Sequence, residues 1–310
     1  MAAGATAVPG AGEAALPGAT GTRLLLLGPA LGIVVLVGIL PLGIILVYSF
    51  LTPGTFGGVV WKFSAEAYAQ FLFDRDFLDD SLTFNAAYLG IFGRSLVQAG
   101  VATAACLLVG FPTAYFMATR PPATRNAWVF LITVPFWTNL LIRTVCMLLI
   151  LRDEGLINNA LVGAGLISTP IVMLYTDFAI GLGLMYSYLP FMVLPLYASL
   201  EKLDFRLVEA AYDLYAGRWR ALTRIIIPLA RPGIVAGCLL VFIPSLGAFL
   251  APDLLGGGKH LMIGNLIQLQ FASSRNWPFG SAAAMILLAA VLLALMLYVR
   301  TAAPRQRARP

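Results

Sequence analysis

The groups able to do covalent or metal chemistry are few. One histidine, His260, and three cysteines, Cys106, Cys146 and Cys238, are the only imidazole and thiol groups among the 310 residues. The cysteines have neither metal-ligand spacing nor an even-numbered disulfide pattern. Each lies in an apolar stretch, as small core residues do. With a single histidine no zinc-protease helix can form, and no nucleophile elbow is present. No catalytic residue and no metal site is assigned. Gly256-Gly257-Gly258-Lys259 resembles the tip of a phosphate-cradling loop. That loop needs Ser or Thr where His260 stands, and glycine where Asp253 stands. No ATPase site and no cofactor of its own are therefore expected in this chain. His260, alone in a loop, is expected to be solvated.

The elements that must carry the remaining polar groups are membrane spans. Hydrophobic residues make up 60% of the chain and charged residues 11%, whereas soluble domains carry about 25% charged residues. Six stretches are long and apolar enough to cross a hydrocarbon core, at about 24–50, 87–118, 127–151, 171–199, 231–252 and 281–300. The expected fold is an all-α bundle of six transmembrane helices, with Pro41, Pro112, Pro135, Pro190, Pro195 and Pro244 as kinks. Residues 1–22 are an Ala/Gly/Pro/Thr-rich tail expected to be disordered, 23–300 form the membrane domain, and 301–310 are a basic tail. Placing the N-terminus in the cytoplasm puts 13 of the 20 lysines and arginines inside and five outside. Both termini are thus expected in the cytoplasm. The net charge of +6 then speaks of orientation and not of a nucleic-acid partner. Loops 51–86 (with Glu66, Asp74, Asp76, Asp79 and Asp80) and 253–280 lie outside, and loop 200–230 inside.

The inner loop is the most informative segment. Phe205, Val208, Tyr212, Tyr215 and Trp219 recur at helical spacing and predict one aromatic face of a short amphipathic helix. Such a face suits a groove on a partner protein or the lipid interface, and the spacing favours neither.

Glu209-Ala210-Ala211, followed by Ile225-x-Ile227-Pro228, resembles the EAA signature of the permease subunits of ABC importers. In that family the loop forms a coupling helix that docks on a cytoplasmic ATPase. Ile227 stands where leucine is usual and Tyr215 where the family has glycine, with Gly217 two residues on as a substitute bend. The ATPase-coupling residues implied are Glu209, Ala210, Ala211, Asp213, Tyr215, Gly217, Ile225 and Pro228. Pro135-Phe136-Trp137-Thr138-Asn139, Leu141-Ile142-Arg143-Thr144, the run Leu189–Tyr197, Ile263-Gly264-Asn265-Leu266-Ile267 and Asn276-Trp277-Pro278-Phe279-Gly280 are similar to spermidine/putrescine permeases. The resemblance implies a bacterial inner-membrane location, a second permease subunit as a heterodimer or homodimer, two ATPases holding ATP and magnesium, and a periplasmic binding protein. Iron, sulfate or another organic solute are alternative cargoes. A stand-alone secondary transporter would need no docking loop and should show internal repeats.

Candidate pathway residues are Phe136, Trp137, Asn139, Arg143, Asp177 and Tyr186. Arg143, inside a span, is a gate or a structural arginine that would repel a cation. Asp177, flanked by Tyr175 and Phe178, could hold an ammonium by charge and cation–π contact, or simply favour the positive end of a helix.

Overall fold

The computed structural model describes residues 19–75 and 82–302. Most of the expected tail (residues 1–18), the loop acids Asp76, Asp79 and Asp80, and the basic terminus with Arg305, Arg307 and Arg309 lie outside the described residues. Helix α1 (Ala19–Val34) continues through a π turn (Val35–Ile39) into α2 (Leu40–Tyr48). Two small antiparallel hairpins follow, β1–β2 (Leu51–Pro53, Val59–Phe63) and β3–β4 (Phe73–Arg75, Leu82–Phe84), with α3 (Glu66–Ala69) between them. Then come α4 (Ala87–Ala118), α5 (Pro122–Thr133), α6 (Leu140–Leu151), α7 (Leu156–Gly163), α8 (Asp177–Leu200), α9 (Arg206–Asp213), α10 (Arg218–Ala221), α11 (Ile227–Leu246), α12 (Leu250–Gly256), α13 (Ile263–Ala272) and α14 (Trp277–Ala302).

Five helical stretches are long and apolar enough to cross a membrane, and a bent pair makes a sixth. That pair corrects the expectation of one kinked helix over 127–151. The stretches Pro122–Trp137 and Leu140–Gly163, which contain α5 and α6, meet at 88°. Pro135 has no N–H to donate and its ring crowds the preceding turn, so the chain tightens into a 3₁₀ turn at Val134–Trp137. Thr138 is then extended (ψ 149°), and the Asn139 side-chain Oδ1 accepts from the Leu141 N–H at 2.8 Å to start a new helix. Pro112, Pro190 and Pro195 sit inside unbroken helices. Pro41 and Pro228 each follow a π turn, Val35–Ile39 and Leu222–Ile226, where the widened coil makes room for the ring.

The other boundaries shift for local reasons. Residues 171–176 are non-helical up to the cap Thr176, whose Oγ1 accepts from the Ala179 N–H at 3.2 Å. The fifth span begins at Arg218 and ends at Leu246, and α12 stands apart from it. The outer segment 253–280, expected as loop, contains α13, whose Ile263, Gly264, Asn265 and Leu266 are buried.

Helix α8 is the centre of the bundle, packed between α4 and α11. Met192 is fully buried there. A Cβ on Gly110 of α4 would come within 2.9 Å of its Cγ, and one on Gly237 of α11 within 2.8 Å of its sulfur. Both positions require glycine for the helices to approach this closely. Gly237→Leu is expected to lower stability by roughly 1–3 kcal/mol through overpacking. The check is the midpoint of thermal unfolding in detergent, and an unchanged midpoint would contradict this packing.

Candidate functional site

The inner loop is built on anchors that face the bundle. The Asp204 carboxylate accepts from the Arg206 N–H at 3.1 Å and starts α9. Val208 and Ala211 are buried, Val208 in the same core as Met117, Leu200, Ala221 and Ile226. Phe205 meets the Tyr115 ring at 6.4 Å between centroids. Glu209, Ala210 and Asp213 face outward and are exposed. Among the described residues Glu209 has no ion-pair partner.

The predicted aromatic face does not survive as one face. Phe205 and Val208 turn inward, while Tyr212, Tyr215 and Trp219 turn outward, with Tyr215 95% and Trp219 75% exposed. The reason is that α9 stops at Asp213. Tyr215 adopts φ 57°, the left-handed conformation that normally favours glycine. The Ala216 N–H donates to the Ala211 carbonyl and the Tyr215 N–H to the Tyr212 carbonyl, both at 2.9 Å. This is a Schellman C-cap with tyrosine at its left-handed position. Gly217, expected to replace the family glycine as the bend, is extended (φ −65°, ψ 159°) and only precedes α10. Ile225 is half-buried in the π turn, and Pro228 opens α11. The loop thus presents Glu209 and Asp213 amid exposed Leu207, Tyr212, Leu214, Tyr215 and Trp219, an apolar surface suited to a partner.

The candidate pathway residues divide into two groups. At the α5–α6 elbow the Phe136 ring meets Phe191 edge-on at 5.2 Å, and the Arg143 guanidinium lies 5.9 Å from the Phe136 centroid. Arg143 is 8% exposed, and among the described residues its Nε and Nη1 have no hydrogen-bond partner. Asn139 serves as the α6 cap. Trp137 points out of the chain, and Tyr186 is partly exposed on α8. A cavity of 130 Å³ beside the elbow is lined by Leu140, Leu184, Ser187, Tyr188, Pro244 and Phe249, among others.

Asp177 is elsewhere, at the first residue of α8 and about 13 Å along the helix from Tyr186 at 1.5 Å per residue. Its backbone carbonyl accepts from Gln98 Nε2 at 2.5 Å. His260, expected to be solvated, instead sets its Nδ1 3.1 Å from Asp177 Oδ1. Sequence reasoning missed several side chains that hold irregular backbone. Asn158 exchanges two hydrogen bonds of 2.9 Å with the Ile171 backbone, Asn265 donates to the Phe249 carbonyl at 2.8 Å, and Ser95 Oγ accepts from the Ile263 N–H at 2.8 Å. Their only sequence signal was a polar residue within or beside an apolar run. Among the described residues no group of three His, Cys, Asp or Glu side chains is placed to hold a metal ion.

This outward-facing inner loop on a bundle with a broken span belongs to a transport protein, and the comparisons agree. Residues 110–308 match the family described as binding-protein-dependent transport system inner membrane component, and the chain belongs to that family. It is 43% identical over 269 residues to the spermidine/putrescine transport system permease protein PotB of Escherichia coli (strain K12), covering 87% of this chain and 94% of that one. With PotB of Haemophilus influenzae the identity is 48% over 216 residues, covering 70% and 75%. The inner membrane ABC transporter permease protein YdcU of Escherichia coli (strain K12) is 33% identical over 69% of this chain and 71% of its own. In three dimensions the chain resembles a bacterial alginate ABC transporter solved with an alginate-bound periplasmic protein. The TM-score is 0.63 at 19% identity, over 92% of this chain and 98% of that one, which establishes the fold.

Tyr215→Gly should relieve the left-handed backbone by roughly 1 kcal/mol. Amide exchange at Ala216, whose N–H closes the cap, should then slow by about fivefold. Faster exchange would contradict the assignment of Tyr215 as the strained position.

Proposed function

We propose that this chain is one of two permease subunits of an ATP-driven importer and that its cargo is a small organic polycation of the putrescine or spermidine class. The observation that carries the cargo is the 43% identity to a spermidine/putrescine permease along nearly the full length of both chains. The remaining parts are a second permease subunit forming a heterodimer, two ATPases that hold ATP and magnesium, and a periplasmic binding protein that delivers the substrate. The chain sits in the inner membrane with both termini in the cytoplasm, as its charge bias favours.

The chain's own part is mechanical. Glu209, Ala210 and Asp213 are presented to the ATPase. The two alanines keep that surface low enough for close approach, and Glu209 brings an unpaired charge to a polar contact. Val208 ties the same helix to the core of α4, α8 and α11, so displacement of α9 must move those spans. Packed cores of this kind switch between discrete arrangements and do not stretch. Arg143 does not suit a cation site. It fits a role at the α5–α6 elbow, where it lies against Phe136 and disfavours passage of a bare cation.

The cargo is tested by ATP-dependent uptake of labelled putrescine and spermidine into proteoliposomes holding the complete complex and its binding protein. Saturable uptake that unlabelled polyamine blocks is expected. Binding-protein-stimulated ATPase activity without polyamine uptake would move the cargo to iron, sulfate or another organic solute. Glu209→Lys should reduce uptake by tenfold or more, about 1.4 kcal/mol of lost coupling, while the protein remains in the membrane at its normal level. Undiminished uptake by that variant would remove Glu209 from the docking surface.

A further inference from the structure

The contact between Asp177 and His260 is used neither by the docking loop nor by the elbow. Asp177 begins α8, and His260 belongs to the connection from α12 to α13. That connection is seated closely on the segment before α8. The Tyr175 N–H donates to the Leu255 carbonyl at 2.9 Å, and Tyr175 itself is left-handed at φ 61°. A Cβ on Gly257 (φ 58°) would lie 2.5 Å from the Tyr175 ring, so only glycine lets the two segments meet.

Within this seat His260 Nδ1 is sealed from solvent and 3.1 Å from Asp177 Oδ1, yet it is not aligned for a hydrogen bond. The two side chains thus meet at ion-pair distance without a hydrogen bond to lock them together. The Asp177 side chain remains 53% exposed, with exposed Tyr175 and Phe178 beside it. A carboxylate flanked by aromatic rings recognises an alkylammonium group by ion pairing and cation–π contact. Other charged groups on the neighbouring elements include Arg94 on α4, Arg143 on α6, Arg152, Asp153 and Glu154 after α6, Asp253 on α12 and Lys259. Among the described residues none of these forms an ion pair with Asp177 or His260.

We infer that Asp177 receives an ammonium group of the substrate and that His260 is its resident counter-ion, which the substrate must displace. The inference rests on the polycation reading above. A substrate ammonium that takes the Asp177 carboxylate removes the contact His260 makes there, so the α12–α13 connection loosens from α8 as substrate arrives.

The test is polyamine uptake by the complete complex in proteoliposomes for the wild type, His260→Gln and Asp177→Asn. Asp177→Asn should raise the apparent KM several-fold with the maximal rate little changed. His260→Gln, which removes the competing group, should lower the apparent KM. As a readout independent of transport, spermidine should speed backbone hydrogen exchange of the connection from α12 to α13 in the wild type and not in Asp177→Asn. An apparent KM unchanged in Asp177→Asn, or exchange of that connection unmoved by spermidine, would overturn the site while leaving the cargo assignment standing. Absence of polyamine uptake by the wild-type complex would overturn the cargo assignment and this site together.

Discussion

Within the hydrocarbon layer water cannot complete a hydrogen bond, so every backbone N–H and C=O of this chain must find its partner inside the protein. Long helices satisfy that rule by themselves, and the straight runs of α4 and α8 need little more. The irregular pieces need help, and polar side chains supply it. Asn139 starts α6 after the elbow, Asn158 receives the edge of the 171–176 segment, and Gln98 takes the carbonyl of Asp177. Ser95 and Asn265 secure the two sides of α13. Gln98, Asn158, Ser95 and Asn265 are buried in the protein, and a hydrogen bond lost at such a place would cost about 1–3 kcal/mol. These few amides and hydroxyls therefore decide where the bundle can depart from plain helices and open a path.

The same rule shapes the inner loop, the surface proposed to meet the ATPase. The inner loop leaves the membrane, turns, and returns without loose backbone. Its helix α9 is closed by a Schellman cap and followed by a π turn that lets Pro228 enter α11. Inward-facing Val208 and Ala211 make the loop continuous with the core, and outward-facing Glu209 and Asp213 leave its other side free. A surface tied to the core on one side and open on the other can pass a push inward. One that folded back on itself could not.

Much of this was legible in the sequence, and the failures have physical causes. Span positions follow from apolar runs of about 20 residues, which no tertiary contact overrides. The break at Pro135 was not distinguishable from the harmless prolines at 112, 190 and 195. What separates it is Asn139 four residues later, able to cap a second helix, and that is visible only once a break is suspected. The aromatic spacing from Phe205 to Trp219 matched a helix, yet the chain departs from it at Tyr215. Left-handed backbone at a tyrosine leaves no mark in a periodicity. The glycine expected by the resemblance at that position was the better guide, since Tyr215 adopts the left-handed backbone that glycine favours. His260 was misjudged because its partner Asp177 is remote in sequence, and a pairing between separate segments has no local signature.

The central claim is that α9 docks on a partner protein and does not lie on lipid, the choice that helical spacing left open. The most direct test places a photo-reactive benzophenone amino acid at position 209 in the complete complex in its native membrane and identifies the adduct by mass. The account predicts cross-linking to the ATPase subunit. Adducts with lipid alone, from a complex that still transports, would contradict it.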